Sequence, residues 1–173
     1  MKRILMICFA VLLFCQATAF AAPIIPKEEL AIGGISLDCT LGYVKEIYGE
    51  PKEVTWKEKG KAGSKMGITY YITYKYSDTF NVTGKKSERD SREENELRVN
   101  SIFIRDNSLS TPSGLTVGMP YTTVVEMFGE GEKLTYQGKT WYSYSPNKGG
   151  IILLQFMVND EGIITEIGVY SQH

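Results

Sequence analysis

Apolar residues recur at three- and four-residue spacing in two short segments of the chain. Leu41, Val44, Ile47 and Tyr48 form one stripe, and Tyr121, Val124, Met127 and Phe128 form another. Each stripe is the apolar face of a helix of about two turns. Thr40 stands where an N-cap is expected, Pro120 suits the first turn of the second helix, and Gly49 and Gly129 follow the last apolar residues. Glycine in that place favours a left-handed C-terminal cap, and Pro51 keeps the first helix from resuming. So short a helix is not stable alone and must dock its stripe on something.

After each helix come runs rich in aromatic and β-branched residues, which predict strands. They fall near Val54–Lys57, Met66–Tyr76, Thr79–Thr83 and Leu97–Arg105, then near Lys133–Tyr136, Thr140–Ser145, Ile151–Val158 and Ile163–Tyr170. The turn-forming groups Gln137-Gly138, Pro146 to Gly149 and Asn159 to Gly162 separate them. Short connections imply antiparallel neighbours, so the expected fold is α+β, one helix with four strands, twice over.

The two halves also align on each other. Gly34 to Glu50 matches Gly114 to Glu130 without a gap at an offset of eighty residues, repeating Gly, Val, Glu, Gly and Glu and keeping the hydrophobic phase. This reads as an internal duplication, with a first unit at 32–108 and a second at 109–173. The first carries an additional charged stretch, Gly84 to Glu96, read either as a solvated hairpin tip or as a loop reaching towards a partner.

The first residues change the picture. Lys2 and Arg3, an uncharged apolar run from Ile4 to Phe14, and Ala19-Phe20-Ala21 are the three parts of a secretory signal, expected to be cleaved after Ala21. The run is too short to span a bilayer, and Phe14 before Cys15 departs from a lipoprotein motif. Residues 22–31 are then an N-terminal extension. Cleavage leaves Cys39 as the single cysteine, expected to be a buried small apolar residue, so no internal disulfide forms. It also leaves 17 of 19 basic side chains against 20 acidic ones, a net charge of −3. Nucleic acid is not an expected partner of such a chain, and no membrane span remains.

Gly118-Met119-Pro120 with Val124 and Gly129, followed by Trp141-Tyr142-Ser143-Tyr144, resembles the signature of SmpA/OmlA-type envelope domains. Their fold is shared with the secreted β-lactamase inhibitor proteins. The resemblance runs from about Ile32 to Tyr170. It implies two tandem units whose sheets join into one concave surface, with the helices on the other face, in a protein of the bacterial periplasm, cell envelope or exterior that grips a partner protein. Asp38-Cys39 replaces the Gly-Met pair in the first unit, and the inhibitors' disulfides are missing. Fold alone does not carry inhibition of a β-lactamase across.

No catalytic constellation is legible. The one histidine is the terminal His173, and one cysteine cannot build a zinc site. Neither a phosphate loop nor a dinucleotide fingerprint occurs. Glu46 and Glu126 occupy matching helical positions and form the available acid pair for a hydrolase, although a solvated role suits them better. A carrier of small ligands would need a closed apolar cavity. The expectation is therefore a non-enzyme without cofactor or metal, either a protein-binding module or a scaffold in envelope assembly.

Strand parity selects the binding residues. Ile152, Leu154, Phe156 and Val158 are wholly apolar and are assigned to the helix side. Gln155 and Tyr170 then face away from the helices, together with Tyr71, Thr73, Trp141 and Ser143 by alignment of the halves. These six are the expected partner contacts, since Tyr and Trp anchors in a polar setting suit protein interfaces. A slip of one residue would reverse the assignment. Apolar residues on both faces raise the alternative that the other unit or the N-terminal segment covers the second face.

Overall fold

The computed structural model describes residues 23–60 and 67–172. The signal segment, its cleavage site, Met66 and His173 lie outside the described residues. A 3₁₀ turn, Lys27–Glu29, leads into a small hairpin of β1 (Ala31–Ile32) and β2 (Ile35–Ser36). Helix α1 (Leu41–Tyr48) follows, then strands β3 (Glu53–Gly60), β4 (Ile68–Lys75), β5 (Phe80–Ser87) and β6 (Val99–Ile104). Helix α2 (Tyr121–Phe128) precedes β7 (Glu132–Tyr136), β8 (Lys139–Tyr144), β9 (Ile152–Val158) and β10 (Ile164–Ser171). All eight expected strands are present, within a few residues of their expected ends.

The strands β3 to β10 form one antiparallel sheet of eight in the order β3-β4-β5-β6-β10-β9-β8-β7. Strands β6 and β10 join the two halves, with Ile104 opposite Ile167, Phe103 opposite Gly168 and Ser101 opposite Tyr170. The protein is thus α+β, with a large antiparallel sheet and two helices. Each helix begins on the same contact. The Leu41 amide donates to the Leu97 carbonyl, and the Tyr121 amide donates to the Gly162 carbonyl.

Register shows that both helices lie on one face, because directly opposed residues share a face. Tyr142 faces Phe156, Phe156 faces Ile167, Ile167 faces Ile104, and Ile104 faces Phe80, with Val82 and Gly84 at the same parity. Tyr121 of α2 stacks on Tyr142 at 3.9 Å between ring centroids. A methyl group at Gly84 would stand 2.7 Å from a Leu41 methyl of α1. The core between helices and sheet includes Ile72, Tyr74, Ile102, Tyr144, Leu154, Phe156 and Val169.

Within each helix the stripe is narrower than its sequence spacing implies. Leu41 and Val44, and Tyr121 and Val124, are buried, whereas Ile47 and Met127 are largely exposed. Tyr48 reaches the core edge, where its hydroxyl donates to the Gly33 carbonyl at 2.6 Å and its ring meets Phe80 edge-on. Thr40 caps α1 by accepting the Tyr43 amide. Gly49 and Gly129 end the helices at φ 77° and 82°, but with ψ −164° and −179° rather than in the left-handed helical region. That extended positive-φ conformation is open essentially to glycine alone. The expected cap residue is correct, and its geometry differs.

One further expectation is corrected and another refined. Cys39 is half-buried, with Sγ 3.6 Å from the Ser36 hydroxyl, because the chain is turning into α1 there. The charged stretch Gly84 to Glu96 is mostly exposed and connects β5 to β6, as a solvated hairpin tip does, but it is anchored at both ends. Gly84 to Ser87 continue β5, and a 3₁₀ turn at Glu94–Glu96 packs on α1, where Glu94 accepts a bond from the Tyr74 hydroxyl and lies 3.8 Å from Lys45.

The N-terminal extension is integral to the fold. Ile24 bridges to Ser145 beyond β8, Ile25 is buried, and the Gly33 amide donates to the Ser110 carbonyl. Glu29 is buried and accepts from the Ser113 hydroxyl at 2.5 Å. This strap therefore touches β8, the connection between the halves, and α1 through Gly33. Its apolar side chains Ile25 and Leu30 join the core, while Pro23 and Ile24 line one hollow with Glu132, Ser143 and Leu153 at the end of the second face.

Candidate functional site

The sheet face turned away from the helices is built by register alone. Lys57, Tyr71 and Lys85 lie in one cross-strand row, and Thr55, Thr73, Thr83 and Ser101 lie in the next. On the other half, Met157, Trp141 and Leu134 form a row, and Gly168, Gln155, Ser143 and Glu132 form another. All six sequence-derived residues, Tyr71, Thr73, Trp141, Ser143, Gln155 and Tyr170, share this face.

The face is open, and its members are not equally accessible. Tyr71, Thr73, Trp141 and Tyr170 are half-buried, but Ser143 and Gln155 are each only 8% exposed. Those two form a floor, with the Gln155 amide nitrogen donating to the Ser143 hydroxyl at 2.6 Å. Sequence parity places them on the correct face but not at its surface. Their neighbours on the same face, Leu153, Met157 and Trp141, are longer or bulkier and are less buried. Thr73 is likewise tied down by a 2.9 Å hydroxyl contact with Thr83.

Several residues of the face were not singled out from the sequence. Leu134 and Tyr136 of edge strand β7 are 55% and 64% exposed, and Leu134 sits opposite Trp141. The signal for them was available, since β7 was expected and its alternation with β8 determines their parity. Phe103 lies flat over Gly168, where a methyl group would collide with its ring, and stacks with Tyr170 at 6.3 Å between centroids. Only a glycine leaves room for that ring, and nothing in the local sequence announces the pairing. Arg105 closes the seam between the halves through a 2.5 Å ion pair with the buried Glu166. A buried carboxylate without such a partner would be costly.

Burial and the Gln172 contact act in opposite senses on Tyr170, and burial wins, holding its hydroxyl above the ordinary tyrosine range. It stays a neutral donor and acceptor throughout the physiological range. This face therefore presents aromatic rings, aliphatic side chains and neutral hydroxyls among charged side chains such as Lys57, Lys85, Lys139 and Glu132.

Elsewhere, among the described residues, no group of three or more His, Cys, Asp or Glu stands close enough to hold a metal ion. Glu46 borders an open depression of about 520 Å³ with Lys45, Glu50 and Glu96, while Glu126 lies on the other helix and does not line it. A cleft of about 310 Å³ between the strap and Ile152 has Lys27, Glu28 and Asp38 beside Leu30 and Leu37. Its lining mixes charge with apolar surface.

The chain matches no family model and no curated protein. Among solved structures it is similar to a DUF4309 family protein of Bacillus subtilis, at 14% identity over 80% of this chain and 82% of that one, with a TM-score of 0.45. It is also similar to an extracellular protein of Bacillus anthracis that contains an SCP domain, at 12% identity and a TM-score of 0.40. That alignment covers 85% of this chain and spans about half of the other.

Proposed function

We propose that this is an exported, non-catalytic binding module of the bacterial cell envelope or exterior, and that it grips a partner protein on the open face of its sheet. In this reading the first 21 residues are a cleaved leader. The two halves are diverged copies of one unit, arranged like the tandem units of the secreted β-lactamase inhibitors. The observation that carries the reading is the composition of the open face. Leu134, Tyr136, Trp141, Tyr170 and Tyr71 stand over a hydrogen-bonded floor of Ser143, Gln155 and Thr73. Rigid aromatic anchors around a satisfied polar floor are the composition of protein interfaces.

Affinity capture from envelope and culture-supernatant extracts tests the reading. The bait is the chain from Ala22, compared with the same chain carrying Tyr71→Ala and Trp141→Ala. The expected result is one protein retained by the native bait, with a loss of about tenfold or more in the variant, since anchor truncations cost about 2 kcal/mol or more. Equal retention by both baits would sink the assignment of this face.

A further inference from the structure

The open face is divided by charge, and the division specifies the kind of surface that fits it. Six cations lie on it (Lys57, Lys59, Lys75, Lys85, Arg105 and Lys139) against three acids (Glu53, Glu132 and Glu166), a balance of +3. Without the leader the chain carries −3, so the rest of it carries −6. The acids of the face are mostly occupied, Glu53 by Lys75 at 2.9 Å and Glu166 by Arg105. Lys57, Lys59, Lys85 and Lys139 have no ion-pair partner among the described residues, and the first three stand together on β3 and β5.

Lys57 and Lys85 flank Tyr71 from the two neighbouring strands, directly opposite it on either side. Lysine on an edge strand guards against edge-to-edge aggregation, which accounts for Lys57 and Lys59 on β3. It does not account for Lys85. Strand β5 lies two strands in from the edge and is paired on both sides, so a cation there protects no edge. On the far half, Leu134, Trp141 and Met157 form an uncharged row, and Lys139 lies beside it at the β7–β8 turn rather than within it.

We infer that the partner gripped by this face is a protein whose docking surface pairs an acidic patch, placed over Lys57, Tyr71 and Lys85, with an apolar patch placed over Trp141 and Leu134. This inference rests on the proposed function and names the chemistry of its partner. The uncompensated cations steer an acidic surface into register and reject a basic one, while the aromatic half holds the complex once it forms.

The test uses the full chain in the cells that make it, with Leu134 replaced by a benzophenone-bearing phenylalanine so that illumination traps whatever lies on the face. Adduct yield is compared with that of the same protein carrying Lys57→Glu and Lys85→Glu. Lys57→Gln with Lys85→Gln gives a neutral intermediate should the reversed pair not accumulate. A Glu46→Lys and Glu126→Lys protein is the control. The expected result is a protease-sensitive adduct whose yield falls about tenfold on charge reversal and partially on neutralisation, with the control within about twofold of the parent. An adduct unaffected by the lysine changes overturns the acidic patch and leaves the binding face standing. An adduct whose protease digest yields peptides of this chain alone, joined to a protease-resistant remnant, identifies an anionic polymer and overturns the protein partner. No adduct in any background overturns the face itself.

Discussion

At the residue scale, the fold rests on a few close approaches that only one side chain permits. Gly168 has no room for a methyl group beneath Phe103. Gly168→Ala is therefore expected to destabilise the protein by about 1–3 kcal/mol, as overpacking does. Urea denaturation measures it, and a loss of only a few tenths would show that the Phe103 ring moves aside freely. The Tyr144 hydroxyl is buried between the Tyr121 hydroxyl at 2.8 Å and the Gly129 carbonyl at 2.9 Å. Tyr144→Phe leaves both without this partner and is expected to cost about 1–3 kcal/mol. Burial also raises the hydroxyls of Tyr48, Tyr74, Tyr121, Tyr144 and Tyr170, and takes Tyr76 from 10.0 to about 12. A raised folded-state value means that the fold favours the neutral phenol. That contribution is complete below about pH 10 and is lost as the pH climbs towards 12. Stability should thus fall in alkali, with tyrosinate absorbance rising together with loss of the circular dichroism signal. Ionisation of these six near pH 10 in an intact fold would contradict the packing described.

The elements themselves were largely legible from residue order. Periodicity located both helices and all eight strands, because a stripe at 3.6-residue spacing and an alternation of two are local properties. What it missed depends on tertiary contact. Ile47 and Met127 belong to their stripes by spacing, yet the helices bury Leu41 and Val44, or Tyr121 and Val124, with Tyr48 and Phe128 at the core edge, and leave those two outside. The run from Gly84 to Glu96 is the solvated tip its dense charges predict, but its anchoring was not legible. Its docking depends on Tyr74 and Lys45, which lie far away in sequence. Residues 22–31 have no periodicity at all, and their role comes from Ile25 entering the core beside Ser145. Ile25→Ala should cost about 2–5 kcal/mol, as other buried truncations do. If chemical denaturation shows less than about 1 kcal/mol, the strap is peripheral to stability.

At the scale of the whole molecule, the decisive feature is that β6 pairs with β10, which makes one sheet of eight strands instead of two of four. The parity of a single strand then assigns a face across the entire width. That is why six residues chosen from sequence alternation all fall on one side. Sequence could not show which of them reach solvent, since Ser143 and Gln155 are covered by neighbours on the same face. Nor could it show that β7 places Leu134 and Tyr136 at the rim. The central claim is that recognition belongs to the face without helices. The most direct test places a photo-crosslinking residue in turn at Tyr71, Leu134, Tyr43 and Met127 in the cells that make the protein. All four side chains are at least partly accessible, two on each side of the molecule. The expected result is one common adduct from Tyr71 and Leu134 and none from Tyr43 or Met127. Adducts confined to the helix positions would contradict the account and move the binding surface to the opposite face.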